Sequence, residues 1–200
     1  MDNTFERKYK RVLEILPDVA QCAQGKLVLV GGTALALFHL KHRVSVDLDF
    51  VPLQGSDTKL KEELKGCLTK KGYHTTAGSF TNQFVVQFED TSIKVEIFIP
   101  EHKIKRIEER DFGAAKIQVA SLEDILQMKI AAYGDRKEAR DLFDIFCILK
   151  SGSSDFGIME KLISKSGMPQ NSKDIELMAL NPSDAAELRK MLSKELSKER

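Results

Sequence analysis

Ser45-Val46-Asp47-Leu48-Asp49-Phe50 is the stretch of this chain whose residue types and spacing speak most directly of chemistry. Successive side chains on a strand point to opposite faces, so Ser45, Asp47 and Asp49 share one face and Val46, Leu48 and Phe50 the other. Two carboxylates at i and i+2, with Cβ atoms about 6–7 Å apart, repel each other. A hard divalent cation, Mg²⁺ or Mn²⁺, relieves that repulsion and is commonly held by one or two protein carboxylates together with substrate phosphates. The plainer alternative is a polar strand face wetted by solvent. A third carboxylate comes from residues 93–99, where Val95, Ile97 and Ile99 form an apolar face and Glu96 lies on the other. Beside Asp47 and Asp49, Glu96 completes a trio able to hold two metal ions in phosphoryl-type transfer.

Gly31-Gly32-Thr33 sits between an apolar run, residues 26–30, and a helical pattern over 34–41. Glycine allows the backbone to approach a ligand closely, and a helix start favours an anion such as phosphate. The lysine of a P-loop and the third glycine of a dinucleotide fingerprint are both missing, so neither of those sites is expected. Fourteen residues lie between Gly32 and Asp47, enough for one helix and a return to the neighbouring strand. The turn and the carboxylates are therefore expected at one sheet edge.

Two later helices add charge. Leu122, Ile125, Leu126, Ile130 and Tyr133 make an apolar stripe that Lys129 completes. Burying an ammonium is costly unless it is paired. Lys129 either snorkels to the stripe's edge or aims its charge at the carboxylates or a phosphate. The next helix packs Ala139, Leu142, Phe143, Phe146 and Leu149 inward and gathers Lys137, Arg140, Asp141 and Asp144 opposite. That polar face reads as solvated, with i,i+3 and i,i+4 pairs, or as support for a polyphosphate site.

The elements that must position these residues follow from periodicity. Phe5, Tyr9, Val12 and Leu16 predict a first helix that ends at Pro17. Strands are expected at 26–30, 44–51, 84–88, 93–99 and 115–119, and a helix at 58–71 stopped by Gly72. Ser121 with Asp124 predicts a capped helix, broken at Gly134-Asp135 before a second one over 136–150; the last helix starts near Pro182. The order implies an α/β or α+β fold, a mixed sheet flanked by helices with a helical C-terminal part. Composition shifts near residue 120, so a core of 1–120 and a helical part of 121–200 packed on it are expected.

Composition narrows the function classes. The chain has 200 residues, 42% hydrophobic and 30% charged, with a formal net charge of +1. That balance excludes a uniformly basic nucleic-acid binder and an acidic tail, though not a local basic groove. His102, Lys103, Lys105 and Arg106 cluster, but Glu101, Glu108, Glu109 and Asp111 dilute them into what reads as a mixed-charge loop. No apolar run reaches the roughly 18 residues of a membrane span, and no signal peptide is expected after Met1. Cys22, Cys67 and Cys147 are few and far apart. Neither a disulfide framework nor a zinc site is indicated, which makes a reducing cytoplasm the expected setting.

Taken together, the paired motifs resemble the nucleotidyltransferase superfamily typified by DNA polymerase β. Gly31-Gly32-Thr33-Ala34-Leu35-Ala36-Leu37, then Arg43-x-Ser45-x-Asp47-Leu48-Asp49-Phe50, then Lys129 and Arg136-x-x-x-Arg140-Asp141-Leu142-Phe143-Asp144 look more closely like the AbiEii/AbiGii toxin family. The resemblance runs from about residue 27 to 149. It implies a polymerase β-like fold and Mg²⁺-dependent transfer of a nucleoside monophosphate from an NTP to an acceptor hydroxyl. It assigns Gly31, Gly32, Thr33 and Ser45 to the triphosphate side. Asp47, Asp49 and Glu96 become metal ligands, with Glu96 as base or second-metal ligand. Arg43, Lys129, Arg136 and Arg140 contact phosphates or brace the site, and Asp144 orients one of these cations. The implied partners are the NTP, an acceptor RNA such as tRNA or a protein, and a cognate antitoxin. Competing readings are a nucleotide- or partner-binding pseudoenzyme of the same fold, an antibiotic-modifying nucleotidyltransferase, and a glycosyltransferase using Asp-x-Asp for Mn²⁺.

Overall fold

The structure, a computed structural model, describes residues 3–152 and 156–198. Seven strands form one mixed sheet: β1 (Leu27–Val30), β2 (Leu48–Pro52), β3 (His74–Ala77), β4 (Gln83–Gln87), β5 (Ser92–Ile97), β6 (Ile107–Phe112) and β7 (Ala115–Ala120). Their order is β3-β4-β5-β2-β1-β7-β6. The β1–β7 and β2–β5 pairs are parallel and the others antiparallel. The central strands are buried because Val28, Leu29, Val30, Leu48, Val95 and Val119 are fully apolar and fully covered.

Helices α1 (Asn3–Ala23) and α3 (Asp57–Lys70) pack on each other and on the sheet. In α3, Leu60, Leu64 and Leu68 recur every four residues and bury that stripe. Ser56 caps its first turn by accepting from the Lys59 amide at 3.5 Å. Helix α2 (Gly31–Ala34) continues as a π-helical turn, Leu35–His39. The remaining helices are α4 (Leu122–Arg136), α5 (Ala139–Gly152), α6 (Gly157–Ser166), α7 (Asp174–Met178) and α8 (Pro182–Lys198). They share a second apolar cluster around Tyr133, Phe143, Phe146 and Leu188. No described helix is long and apolar enough to cross a membrane.

Ser121 opens α4 as its capping spacing predicts. Its hydroxyl accepts from the Asp124 amide at 3.2 Å and donates to Asp124 Oδ2 at 2.8 Å. The Asp124 carboxylate also accepts from the amides of Lys105 and Arg106, at 3.1 and 3.0 Å, and so fastens the approach to β6.

Several expectations are corrected. Pro17 lies inside α1, which continues to Ala23. Val19 and Ala23 are buried beyond it, and that packing outweighs the hydrogen bond Pro17 cannot make. The strand expected at 44–51 begins at Leu48. The helix break comes at Lys137, a left-handed residue with φ 55°, rather than at Gly134-Asp135. Strands β3 and β6 were not anticipated. His74-Thr75-Thr76-Ala77 lacks apolar alternation, and the charges of β6 suit an exposed sheet edge. Cys22 and Cys67 are joined by a disulfide between α1 and α3, contrary to the expectation of unpaired cysteines. A sequence separation of 45 conceals two helices lying side by side. Cys147 is buried and free.

Candidate active site

A cleft of about 420 Å³ opens beside the ends of β1, β2 and β5. Gly31, Gly32, Ser45, Asp47, Asp49, Lys94, Glu96, Lys129, Arg136 and Arg140 all line it. The chain leaves β1 at Val30 and turns at Gly31, whose φ of +70° suits glycine. A Cβ on Gly31 would lie 2.6 Å from Asp49 Oδ2. One on Gly32 would lie 2.3 Å from Arg43 Nη2 and 2.8 Å from Ser45 Oγ. Both glycines thus make room for the protein's own charged and polar side chains, a reason the sequence pattern did not reveal.

Thr33, fully buried, ties this turn to the approach to β2. Its hydroxyl hydrogen-bonds Ser45 Oγ at 3.0 Å and donates to the Asp47 carbonyl at 2.5 Å. Asp47 lies just ahead of β2, not on a continuous strand with Asp49, yet both side chains reach the cleft. Asp49 and Glu96 are register partners on parallel β2 and β5. Burial, with Asp47 and Glu96 close by, pushes the Asp49 carboxyl up to about 6 against the pull of Lys94.

Glu96 is held firmly. Asn82 Nδ2 donates to Oε1 at 3.0 Å and Gln83 Nε2 to Oε2 at 2.9 Å. Lys94 Nζ stands 3.5 Å from Asp47 Oδ2 and 3.6 Å from Glu96 Oε2. Burial works against that ammonium, but Asp47, Asp49 and Glu96 outweigh it and raise its pKa.

Beneath the cleft lies a buried ionic network. Asp141 and Asp144 of α5 are both completely covered, so the polar face of that helix is interior, not solvated. Lys129 Nζ binds Asp141 Oδ1 at 2.8 Å and Asp144 Oδ2 at 2.7 Å. Its two partners account for its place on an apolar stripe. Arg43 grips Asp144 through Nε at 2.5 Å and Nη2 at 2.8 Å, and His42 Nε2 lies 2.7 Å from Asp144 Oδ1. Arg136 grips Asp141 through Nε at 2.6 Å and Nη2 at 2.9 Å. Burial disfavours the Asp144 charge, but Arg43, Lys129 and His42 overcome it and hold the carboxyl well below the usual range. Arg140 Nε is buried without a hydrogen-bond partner among the described residues.

Every residue singled out in the sequence for the site lies in or directly under this cleft. Their environments divide them. Asp47, Asp49 and Glu96 form one wall; Arg136 and Arg140 reach the cleft from the helical part; Arg43 and Lys129 are committed to buried carboxylates. Lys94, Asn82, Gln83 and His42 were not singled out, and Asp141 was read only as part of a polar helix face. Lys94 was within reach, since it shares the strand face of Glu96 two residues later. Asn82 and Gln83 carry no signal until β4 pairs with β5.

The carboxylate wall offers only oxygen donors, the set that Mg²⁺ or Mn²⁺ prefers, and an ammonium already stands among them. The residues therefore fit a divalent cation by donor type. Among the described residues no three His, Cys, Asp or Glu side chains converge on one point as they stand.

Comparison with known proteins accords with this geometry. JHP933 from Helicobacter pylori has a similar structure, with a TM-score of 0.59 and 21% identity over 96% of this chain and 93% of that one. An antigenic nucleotidyltransferase-like protein from Paracoccidioides brasiliensis has a TM-score of 0.55 at 15% identity, over 83% and 96%. The antibiotic-resistance factor ANT(2'')-Ia has a TM-score of 0.53 at 13% identity, over 78% and 90%. These likenesses establish a nucleotidyltransferase-like α+β fold. No match is found among curated proteins. The family model described as nucleotidyl transferase AbiEii toxin, type IV toxin–antitoxin system, matches residues 15–199, and the chain belongs to that family.

Proposed function

We propose that the protein transfers a nucleoside monophosphate from an NTP to an acceptor hydroxyl, with Mg²⁺ or Mn²⁺. The observation that carries this reading is the gathering of Asp47, Asp49, Glu96, Arg136 and Arg140 around one cleft that Gly31 and Gly32 also line. Asp47, Asp49 and Glu96 would hold the metal, which supplies charge neutralisation at the phosphates and aligns the attacking and leaving oxygens. Arg136 and Arg140 bind the polyphosphate, and Gly31, Gly32, Thr33 and Ser45 shape the cleft floor beneath it. The acceptor oxygen forms a bond to the α-phosphorus, and the bond from that phosphorus to the β-phosphate oxygen breaks, releasing pyrophosphate. Glu96, oriented by Asn82 and Gln83, takes the hydroxyl proton. Arg43, Lys129 and Asp144 brace these groups from below.

In this reading residues 1–120 are the catalytic core and 121–200 the helical part that buttresses it. The acceptor is RNA, such as tRNA, or protein. The family's type IV toxin–antitoxin description supports a toxin role with a cognate antitoxin. A reaction fed by NTPs suits the cytoplasm, although the Cys22–Cys67 disulfide removes the cysteine-based ground for that setting. The test is incubation with Mg²⁺ and each NTP labelled at the α-phosphate, with total RNA or total protein as acceptor. Label entering one pool with the wild type and not with Asp47→Ala supports the reading. A folded wild type that labels neither pool with any NTP overturns it in favour of a binding protein of the same fold.

A further inference from the structure

Lys94 precedes Glu96 by two residues on β5, so both side chains leave the same face of the sheet. Its ammonium lies 3.5 Å from Asp47 Oδ2 and 3.6 Å from Glu96 Oε2. Asp47 comes from the approach to β2 and Glu96 from β5, so one cation spans two separate segments of the carboxylate wall. Of the other cations, Arg43 is committed to Asp144 and Lys129 to both Asp141 and Asp144, while half-exposed Arg136 pairs with Asp141 at the helical side of the cleft. Three neighbouring carboxylates without a cation would repel one another and spread. The chain carries its own remedy in Lys94.

We propose that Lys94 is a built-in countercation that holds Asp47 and Glu96 together before a divalent cation binds and is displaced when it does. This rests on the reading of Asp47, Asp49 and Glu96 as the metal-binding carboxylates. The Lys94 side chain is 37% exposed, and its contacts are at ion-pair rather than ligand distance, so it is a displaceable partner. Direct oxygen ligation of a doubly charged ion is stronger, and the ammonium yields to it. The flexible four-carbon stem then leaves that charge in the cleft, available to a polyanion. Metal binding without nucleotide is accordingly weak in the wild type, because it must first break the two Lys94 pairs. Lys94 thus also competes with the metal for the Asp47 and Glu96 oxygens, and relief of that competition outweighs the looser spacing, so its removal tightens the metal site.

The test is titration of Mn²⁺, without nucleotide, followed by the electron paramagnetic resonance signal of the free ion. Wild type, Lys94→Met, Lys94→Arg and the double variant Lys94→Met/Asp49→Asn are compared, with circular dichroism to establish folding. Lys94→Met is expected to bind Mn²⁺ about tenfold more tightly, a coupling of ordinary size between two competing cations. Lys94→Arg keeps the charge and is expected to stay near the wild type. Equal or weaker binding by folded Lys94→Met, with binding lost on adding Asp49→Asn, overturns the role of Lys94 and leaves the carboxylate site standing. Binding that is indifferent to Asp49→Asn, or absent from every variant, overturns the carboxylate reading and the Lys94 role with it.

Discussion

Arg43 and Asp144 meet in the interior as a two-pronged ion pair, Nε to Oδ1 at 2.5 Å and Nη2 to Oδ2 at 2.8 Å, across 101 residues of chain. The side chains are 4% and 0% exposed. The segment that delivers Ser45, Asp47 and Asp49 is thereby anchored to the helical part by charge as well as by packing. Lys129 and His42 share the same carboxylate, so Asp144 is the hub of the arrangement.

Removing that hub should be costly. Asp144→Asn keeps the volume but leaves Arg43 and Lys129 short of a counter-charge in the interior. Breaking a buried pair from one side costs about 3–5 kcal/mol. Urea denaturation should register that loss, and transfer activity should fall with it. Replacing Arg43 and Asp144 together by methionine should cost less than the sum of the single changes. Additive losses would mean that the pair is not coupled.

The same carboxylates set the acid response. Asp141 and Asp144 are held below their ordinary range in the folded state, Asp144 strongly so. A group with a depressed folded-state pKa adds stability above its unfolded value, about 3.9 for aspartate, and loses it as the pH falls toward the folded-state value. Stability should therefore drop steeply below about pH 4, and Asp144→Asn should flatten that drop. Thermal melts between pH 3 and 7 would show whether the slopes differ.

Gly32→Ala should damage the site. The added Cβ would lie 2.3 Å from Arg43 Nη2 and 2.8 Å from Ser45 Oγ. Arg43 is clamped by Asp144 and cannot move away freely. A loss of 1–3 kcal/mol in stability, roughly the usual cost of overpacking, is expected with a larger loss of NTP binding. Gly25→Ala is a useful comparison for strain alone. Its φ is +71°, but nothing lies within 4 Å of the added carbon. Nucleotide titration of both variants separates crowding from backbone strain.

The Cys22–Cys67 bond closes a loop of 45 residues between α1 and α3. Loop-closure entropy for that length corresponds to roughly 4 kcal/mol. Cys22→Ser should lower the melting temperature under oxidising conditions. It should have little effect in excess reductant, where the wild type loses the same link. Because this bond lies on α1 and α3 rather than in the cleft, NTP binding should change little at temperatures where both forms are folded.

Much of the site was legible because strand alternation and helix periodicity are local rules. Asp47 and Asp49 could be paired from spacing alone and the Ser121–Asp124 cap from a four-residue signature, whereas Glu96 joins them only through the β2–β5 pairing. What escaped depends on chain segments far apart in sequence. The burial of Asp141 and Asp144 follows from Arg43 and Lys129 arriving from other elements. The amides that fix Glu96 need the β4–β5 register, and the disulfide needs α1 beside α3. Strand β6 was hidden by its own charges, which suit an edge and disguise a strand.

The placement of β1 between β2 and β7 bears on when the molecule can become active. Its neighbour β7 ends only at Ala120, and Asp144 follows later still. Synthesis runs from the N-terminus, so a nascent chain displays Gly31, Gly32, Asp47 and Asp49 well before their support exists. Until α5 has left the ribosome, Arg43 has no Asp144 to bury against. A prematurely truncated product would carry the signature residues and still lack a working cleft.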